Sequence, residues 1–246
     1  MSFSVSIEDK DVNVSRSIHT CFLYILNHGN VTGIFRVSGS AVRIRFLTEH
    51  LTNNPETDLE TFQKSYMFTV HDITAVLKKL LATSLRHSDF TIVNNRQLLE
   101  NLQTIYVLEQ DSKCVVRKSC DIIDLPRINM HLLVYVSYQL HRIAAMEETT
   151  SMSASNLSII FQPYLFNNLV ITNPDDLKCL RGVIEAFIVH SPLVVELLQE
   201  KEKFLTPMTS TSTPASIQVK RMAVEEEKKP FILRRALSLR VKRLKS

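Results

Sequence analysis

The chain has 246 residues, 45% of them hydrophobic and 22% charged, values of a globular protein large enough for one sizeable core and a tail. No apolar run approaches the roughly 18–20 residues that cross a bilayer, and the polar, acidic stretch from Met1 to Asp11 is unlike a secretion signal, so a cytoplasmic protein is expected. The net charge of +4 is unevenly placed: from Pro207 onward there are 10 Lys/Arg and 3 Glu, a net of +7, and the remainder holds 19 basic and 22 acidic residues, a net of −3, so the body gives no reason to expect nucleic-acid binding.

Four glycines, and no proline between Pro55 and Pro126, favour helices. Ile18, Cys21, Phe22, Ile25 and Leu26 fall at i, i+3, i+4, i+7 and i+8, the face of a helix that Gly29 stops as a C-terminal cap. Ser40 is suited to cap a helix carrying Ile44, Leu47 and Leu51. Between Asp72 and Leu81 the same spacing runs through Ile73, Val76, Leu77, Leu80 and Leu81, and Leu98, Leu102 and Ile105 mark another helix. Pro126 opens a long one through Leu133, Val136, Leu140 and Ile143. Ser153 can cap a helix with Leu157 and Ile160, which Pro163 ends or kinks. Asn173-Pro174 begins a last helix with Leu177, Leu180, Ile184, Phe187 and Ile188. No alternating strand of useful length competes, so an all-α bundle is expected over about residues 10–204. The four cysteines (Cys21, Cys114, Cys120 and Cys179) lack metal-ligand spacing, and three lie in apolar helical patterns as buried free thiols do.

Two of the four glycines bracket one arginine in Gly33-Ile34-Phe35-Arg36-Val37-Ser38-Gly39-Ser40. Glycine lets the backbone take positive φ or approach another surface closely. Arginine offers a rigid, always-charged fork suited to phosphate oxygens. The simpler reading of an isolated Gly-x-x-Arg-x-x-Gly is an arginine beside a tight turn, paired with a carboxylate. Lys78 follows Leu77 and lies off the apolar stripe of its helix, where a lysine is ordinarily just solvated. A third block reads Leu125-Pro126-x-x-Asn129, then Leu132-Leu133, Met152-x-x-x-Asn156-Leu157 and Pro163-x-Leu165. By itself Asn156 is an ordinary capping or surface residue.

In order and spacing these blocks resemble the RhoGAP domain, a family of Rho GTPase activators, over about Ile18 to Val194. The resemblance implies an all-α, multi-helix RhoGAP-like bundle with Arg36 as an arginine finger supplied in trans to a GTPase active site. It implies that Lys78 and Asn156 face the GTPase, and that the partner is a Rho-family small GTPase in its GTP-bound state. On this reading the chain is a GTPase activator with no enzymatic activity of its own, no cofactor and no metal. Arg43 and Arg45, just after the loop, either add docking charge or are solvated. The chain departs from the family in three places. The family's entry segment, usually with a proline before the first helix, is not recognisable. Ala82 stands where an arginine usually follows the helix lysine by four residues, and Ser84-Leu85-Arg86-His87 replaces the usual Leu-Pro-Glu-Pro. Arg86, one turn further along, is a candidate substitute cation. The departures at Ala82 and just after it keep a second reading open, a RhoGAP-like module that binds a small GTPase without activating it. There is no Walker-type lysine loop, no Gly-x-Ser-x-Gly and no His-Glu-x-x-His, so the chain is not expected to bind GTP itself.

The chain is expected to divide into a RhoGAP-like domain over residues 1–204, a Ser/Thr/Pro-rich linker over 205–227 and a basic tail over 228–246. The tail has 8 basic residues, and Leu233, Leu237, Val241 and Leu244 fall at i, i+4, i+8 and i+11. Two readings stand. One is peripheral binding to an anionic membrane, at roughly 1 kcal/mol per basic residue near the surface. The other is a disordered, solubilising tail. Arg234-Arg235-Ala236-Leu237-Ser238 resembles a site for basophilic kinases, and phosphate there would cut the positive charge.

Overall fold

A computed structural model of the chain describes residues 2–86, 96–165 and 173–205. The segment that replaces Leu-Pro-Glu-Pro from His87 on, the side chain of Arg86, the linker and the basic tail lie outside the described residues.

The chain opens with an antiparallel hairpin, β1 (Ser2–Ile7) and β2 (Lys10–Ser15), which overturns the expectation that no strand would compete. Its signal is a period of two: Phe3, Val5 and Ile7 alternate with serines, and Val12 and Val14 alternate with Asp11 and Asn13. Each run is only six residues, and a hairpin of that size is marginal alone. The bundle supplies the missing stability by covering one face, so that Ile7, Val12 and Val14 are buried. Glu8 and Asp9 both take positive φ, 47° and 63°, as a two-residue hairpin turn requires. The Asn13 N–H donates to His131 Nδ1 at 2.7 Å, which ties the hairpin to the bundle.

Eleven helices follow among the described residues: α1 (Arg16–His28), α2 (Ala41–Asn53), α3 (Leu59–Ser65), α4 (Val70–Arg86), α5 (Arg96–Leu108), α6 (Ser112–Ile122), α7 (Arg127–Ala144), α8 (Glu147–Thr150), α9 (Ala154–Leu165), α10 (Pro174–Val189) and α11 (Ser191–Leu205). The expected all-α bundle is therefore what forms around the hairpin. Four of the helices were not anticipated. α3 and α8 are too short for periodicity to register, and α6 buries Ser119 and Cys120 beside Val115 and Val116, a face of mixed polarity. α11 follows α10 after a break at His190, so the helix begun at Pro174 is not the last.

α7 is the central rod. Twelve of its 18 residues are buried, so it is enclosed by the bundle rather than facing solvent along one side. Tyr135 on α7 is fully buried, and its hydroxyl meets His19 Nδ1 of α1 at 2.6 Å. α1 packs on α4, α2 on α4, and α9 and α5 on α10, while α11 lies along α7. The Lys201 ammonium of α11 donates to the carbonyls of Cys120, Asp121 and Ile123, supplying a cation to the orphan acceptors at the end of α6. Cys21, Cys120 and Cys179 are buried free thiols and Cys114 is partly exposed.

Gly29 ends α1 as expected, but not through a left-handed cap, since its φ is −84°. A Cβ there would overlap the Ile34 Cδ1 atom and the Ile25 carbonyl oxygen. The glycine is required because the following loop folds back onto the end of α1. Gly29→Ala is expected to lower unfolding stability by about 1–3 kcal/mol, the range for overpacking, as read from urea denaturation. A change within experimental error would mean that Ile34 moves aside without cost.

Candidate functional site

The loop between α1 and α2 is held by main-chain groups. Gly33 (φ 75°) and Phe35 (φ 67°) are both left-handed. For a bulky residue such as Phe35 that conformation costs about 1–2 kcal/mol, and it persists only where the surroundings enforce it. Three contacts do so here. The Phe35 ring is buried edge-on against Phe161 of α9, with centroids 5.2 Å apart. The Gly33 N–H donates to the Thr150 carbonyl at 2.9 Å. Lys78 Nζ, from α4, donates to the Phe35 carbonyl at 3.1 Å. A turn within the loop closes on Gly33, whose carbonyl accepts from the N–H groups of Arg36 at 2.9 Å and Val37 at 3.0 Å.

The alternation of burial along this loop is sharp. Ile34 and Phe35 are core residues, whereas Arg36, Val37 and Ser38 are exposed. Among the described residues the Arg36 side chain has no hydrogen-bond or ion-pair partner. That removes the simpler sequence reading of an arginine paired with a carboxylate beside its turn. The positive fork points outward from a backbone that is fixed.

Lys78 is not merely solvated. It is half-buried, and burial pulls its ammonium below the usual lysine range. Its bond to the Phe35 carbonyl makes it a support of the loop as well as a surface cation. Asn156 lies on the first turn of α9. Its N–H donates to the Ser153 hydroxyl oxygen at 3.1 Å, so Ser153 caps the helix as expected. Its Nδ2 donates to the Ser151 carbonyl at 3.2 Å. Ser151, itself left-handed at φ 56°, follows the Thr150 that holds Gly33. Arg36, Lys78 and Asn156 are thus linked through one loop and its neighbours. Ala82 sits one turn beyond Lys78 on α4 and is partly buried. Pro163 stays inside α9 rather than ending it.

Sequence reasoning missed Asp72. Its carboxylate is fully buried and accepts four hydrogen bonds. Ser40 N–H reaches Oδ1 at 2.7 Å, while Arg43 Nε at 2.8 Å, Thr69 N–H at 2.8 Å and Thr69 Oγ1 at 3.0 Å reach Oδ2. Burial alone would raise this carboxyl, but the bonds from Thr69, Arg43 and Ser40 outweigh it and hold it below the usual carboxylate range. The signal was the spacing Thr69-x-x-Asp72 at a helix start, a capping box. Two earlier readings change with it. Ser40 stands at the N-cap of α2, yet its side chain makes no capping bond, and its N–H serves Asp72 instead. Arg43 is neither simply solvated nor a free docking charge, because it pairs with Asp72. Arg45 is exposed. Among the described residues no group of three or more His, Cys, Asp or Glu side chains converges as a metal site would.

A sequence profile of the RhoGAP domain matches residues 15–169, which contain the loop, α4 and α9. The Saccharomyces cerevisiae Rho-GTPase-activating protein BAG7 is 30% identical over 216 residues, covering 82% of this chain and 50% of that protein. The Schizosaccharomyces pombe probable Rho-type GTPase-activating protein 2 is 29% identical over 165 residues, 66% of this chain and 12% of that protein. This chain therefore spans half or less of these relatives. Among solved structures, the BH domain from Graf, the GTPase regulator associated with focal adhesion kinase, aligns with a TM-score of 0.59 at 20% identity. That match covers 74% of this chain and 93% of Graf's domain. Human Rho GTPase activating protein 15 aligns with a TM-score of 0.59 at 19% identity, covering 72% and 82%. At such identities these likenesses establish the fold alone.

Acid titration isolates the buried carboxylate. A carboxyl held below its unfolded value of 3.8 adds stability that is complete above that value and is lost as pH falls through the folded-state value. Wild type is expected to be more stable than Asp72→Asn near neutrality, with the difference shrinking below pH ~4. Urea unfolding midpoints measured down to about pH 2 read this directly. A difference constant with pH would exclude the charge as its source.

Proposed function

This chain belongs to the RhoGAP domain family, and we propose that it activates GTP hydrolysis by Rho-family small GTPases in their GTP-bound state, supplying Arg36 in trans. One observation carries the reading: Arg36 is exposed and unpaired on a loop whose backbone is held by α4, α9 and the turn at Thr150. A small GTPase alone hydrolyses GTP slowly, because charge developing on the transferring phosphoryl group is incompletely neutralised. A guanidinium from a second protein neutralises it. In the related Ras system such a finger is worth about 10³–10⁵ in rate, which corresponds to roughly 4–7 kcal/mol of barrier.

Each part has a physical role in this proposal. Arg36 supplies the charge and touches the transferring phosphoryl group. Lys78 holds the carbonyl that immediately precedes Arg36 and presents its remaining donors toward the GTPase. Asn156 offers an amide beside the same loop for polar contact with the switch regions. The chain adds no nucleophile, metal or cofactor; the GTPase holds the nucleotide and remains the enzyme. No helix among the described residues is long and apolar enough to cross a membrane. For the basic tail we propose contact with anionic lipid in the cytoplasm, which would concentrate the activator near a membrane surface.

Single-turnover GTP hydrolysis by purified Rho, Rac and Cdc42 type GTPases is the direct test. Stimulation by the wild type is expected to fall by about 10³-fold or more in Arg36→Ala, while GTPase binding is largely retained. Equal rates with wild type and mutant would end the activator reading. Stimulation in solution is also expected to survive deletion of residues 207–246, whereas pelleting with anionic vesicles at low salt is expected to be lost. Failure of the intact chain to pellet under those conditions would remove the lipid role.

A further inference from the structure

Asp72 divides its two oxygens between different tasks. Oδ2 closes the capping box of α4 by accepting Thr69 N–H and Thr69 Oγ1, and it also takes Arg43 Nε. A capping box needs no more than one oxygen from its acidic member. Oδ1 is turned away from that box and accepts the N–H of Ser40, the residue that ends the arginine loop. Gly39 follows from the same approach. A Cβ there would overlap Asp72 Oδ1 and stand 2.8 Å from its Cα and 2.9 Å from its backbone nitrogen. The second glycine of the motif is therefore a requirement of contact with α4, whereas Gly33 is a requirement of positive φ. Three features after the arginine, namely Gly39, Ser40 and Arg43, converge on this one carboxylate.

We propose that Asp72 is a positioning residue for Arg36, fixing the trailing end of the loop as Lys78 fixes its leading end. The inference rests on the finger role proposed for Arg36. Lys78 and Asp72 lie six residues apart on α4, which at 1.5 Å per residue places the two residues about 9 Å apart along the axis of one helix. Between them the chain runs only from Phe35 to Ser40. Arg36 and its two following neighbours are thus suspended between two points of the same element. Release of the trailing anchor lets the guanidinium wander without removing it, and misplacement by about 1 Å can cost on the order of 100-fold in rate. A group that acts this way lowers the maximal rate and leaves affinity for the GTPase nearly unchanged.

Trypsin provides a readout that needs no GTPase, because it cuts after Arg36 itself and does so faster when the loop is loose. The 246-residue chain, Asp72→Asn and Gly39→Ala are digested under native conditions, and cleavage at each site is followed by mass spectrometry. Gly39→Ala keeps the Asp72 carboxylate and its charge while its Cβ forces the loop away from Asp72, so it decides the matter if Asp72→Asn does not fold. Cleavage after Arg36 is expected to rise about tenfold relative to other sites. With the GTPase that responds best to wild type, the maximal rate is expected to fall roughly 10- to 100-fold, with the half-saturating concentration within about threefold of wild type. A uniform rise at all sites in both variants would reduce Asp72 to a support of the fold, and an unchanged Arg36 site would overturn the proposal outright. If wild type stimulates no GTPase, the activator reading falls and the cleavage ratio still decides whether Asp72 positions the loop.

Discussion

An exposed arginine can be held in place without being neutralised only if its backbone, not its guanidinium, is anchored, and the loop from Gly33 to Ser40 meets that constraint by bonding only through its main chain. Thr150 accepts the Gly33 N–H, Lys78 donates to the Phe35 carbonyl and Asp72 accepts the Ser40 N–H. None of these bonds uses the guanidinium of Arg36. Had a carboxylate been placed beside the side chain instead, the fork would have been ordered and its charge spent. Backbone anchoring orders the residue and leaves the charge exposed, which is the arrangement that the proposed finger role calls for.

The anchors are themselves rigid because they belong to the core. Lys78 and Asp72 both stand on α4, whose Ile73, Val76, Leu77 and Leu81 are buried against α1 and α2. Phe161, which receives the Phe35 ring, is buried on α9, and α9 packs against α10 and α7. The loop thereby connects the hydrophobic core directly to the exposed arginine: Ile34 and Phe35 lie inside, and Arg36 is the first residue out. Strain at Phe35 is sustained by the same arrangement, since returning its φ to the ordinary region would withdraw a buried aromatic ring and break the Lys78 bond. Backbone strain concentrated at one residue beside an unpaired cation is the usual company of a functional site.

Much of this organisation was legible in the linear chain. α1, α2, α4, α5, α7, α9 and α10 follow from apolar residues spaced at three and four, and Gly29, Pro126, Ser153 and Asn173 mark their ends where the structure has them. The hairpin was equally written in its alternation, but six-residue strands interrupted by serine and asparagine carry little apolar weight until a helix covers them. α3 and α8 span too few turns for a period to emerge. At the site, Arg36 stood out because two scarce glycines flank it, and Lys78 and Asn156 because their surroundings resemble a family pattern.

The sequence by itself determined seven of the helices, the apolar face of each, and that one arginine sits in a loop able to adopt positive φ. Those properties are local, set by neighbours within a turn or two. Tertiary structure alone decided that Lys78 is a support of the loop, that Gly39 is a contact glycine, that Asp72 holds Ser40 and Arg43, and that Arg36 is left unpaired. Those bonds join residues 43 and 32 positions apart, and the bond from Gly33 to the last residue of α8, Thr150, spans more of the sequence still. Periodicity reports a helix face but not what that face meets, so partners so far apart become visible only when packing brings the backbones within hydrogen-bonding distance.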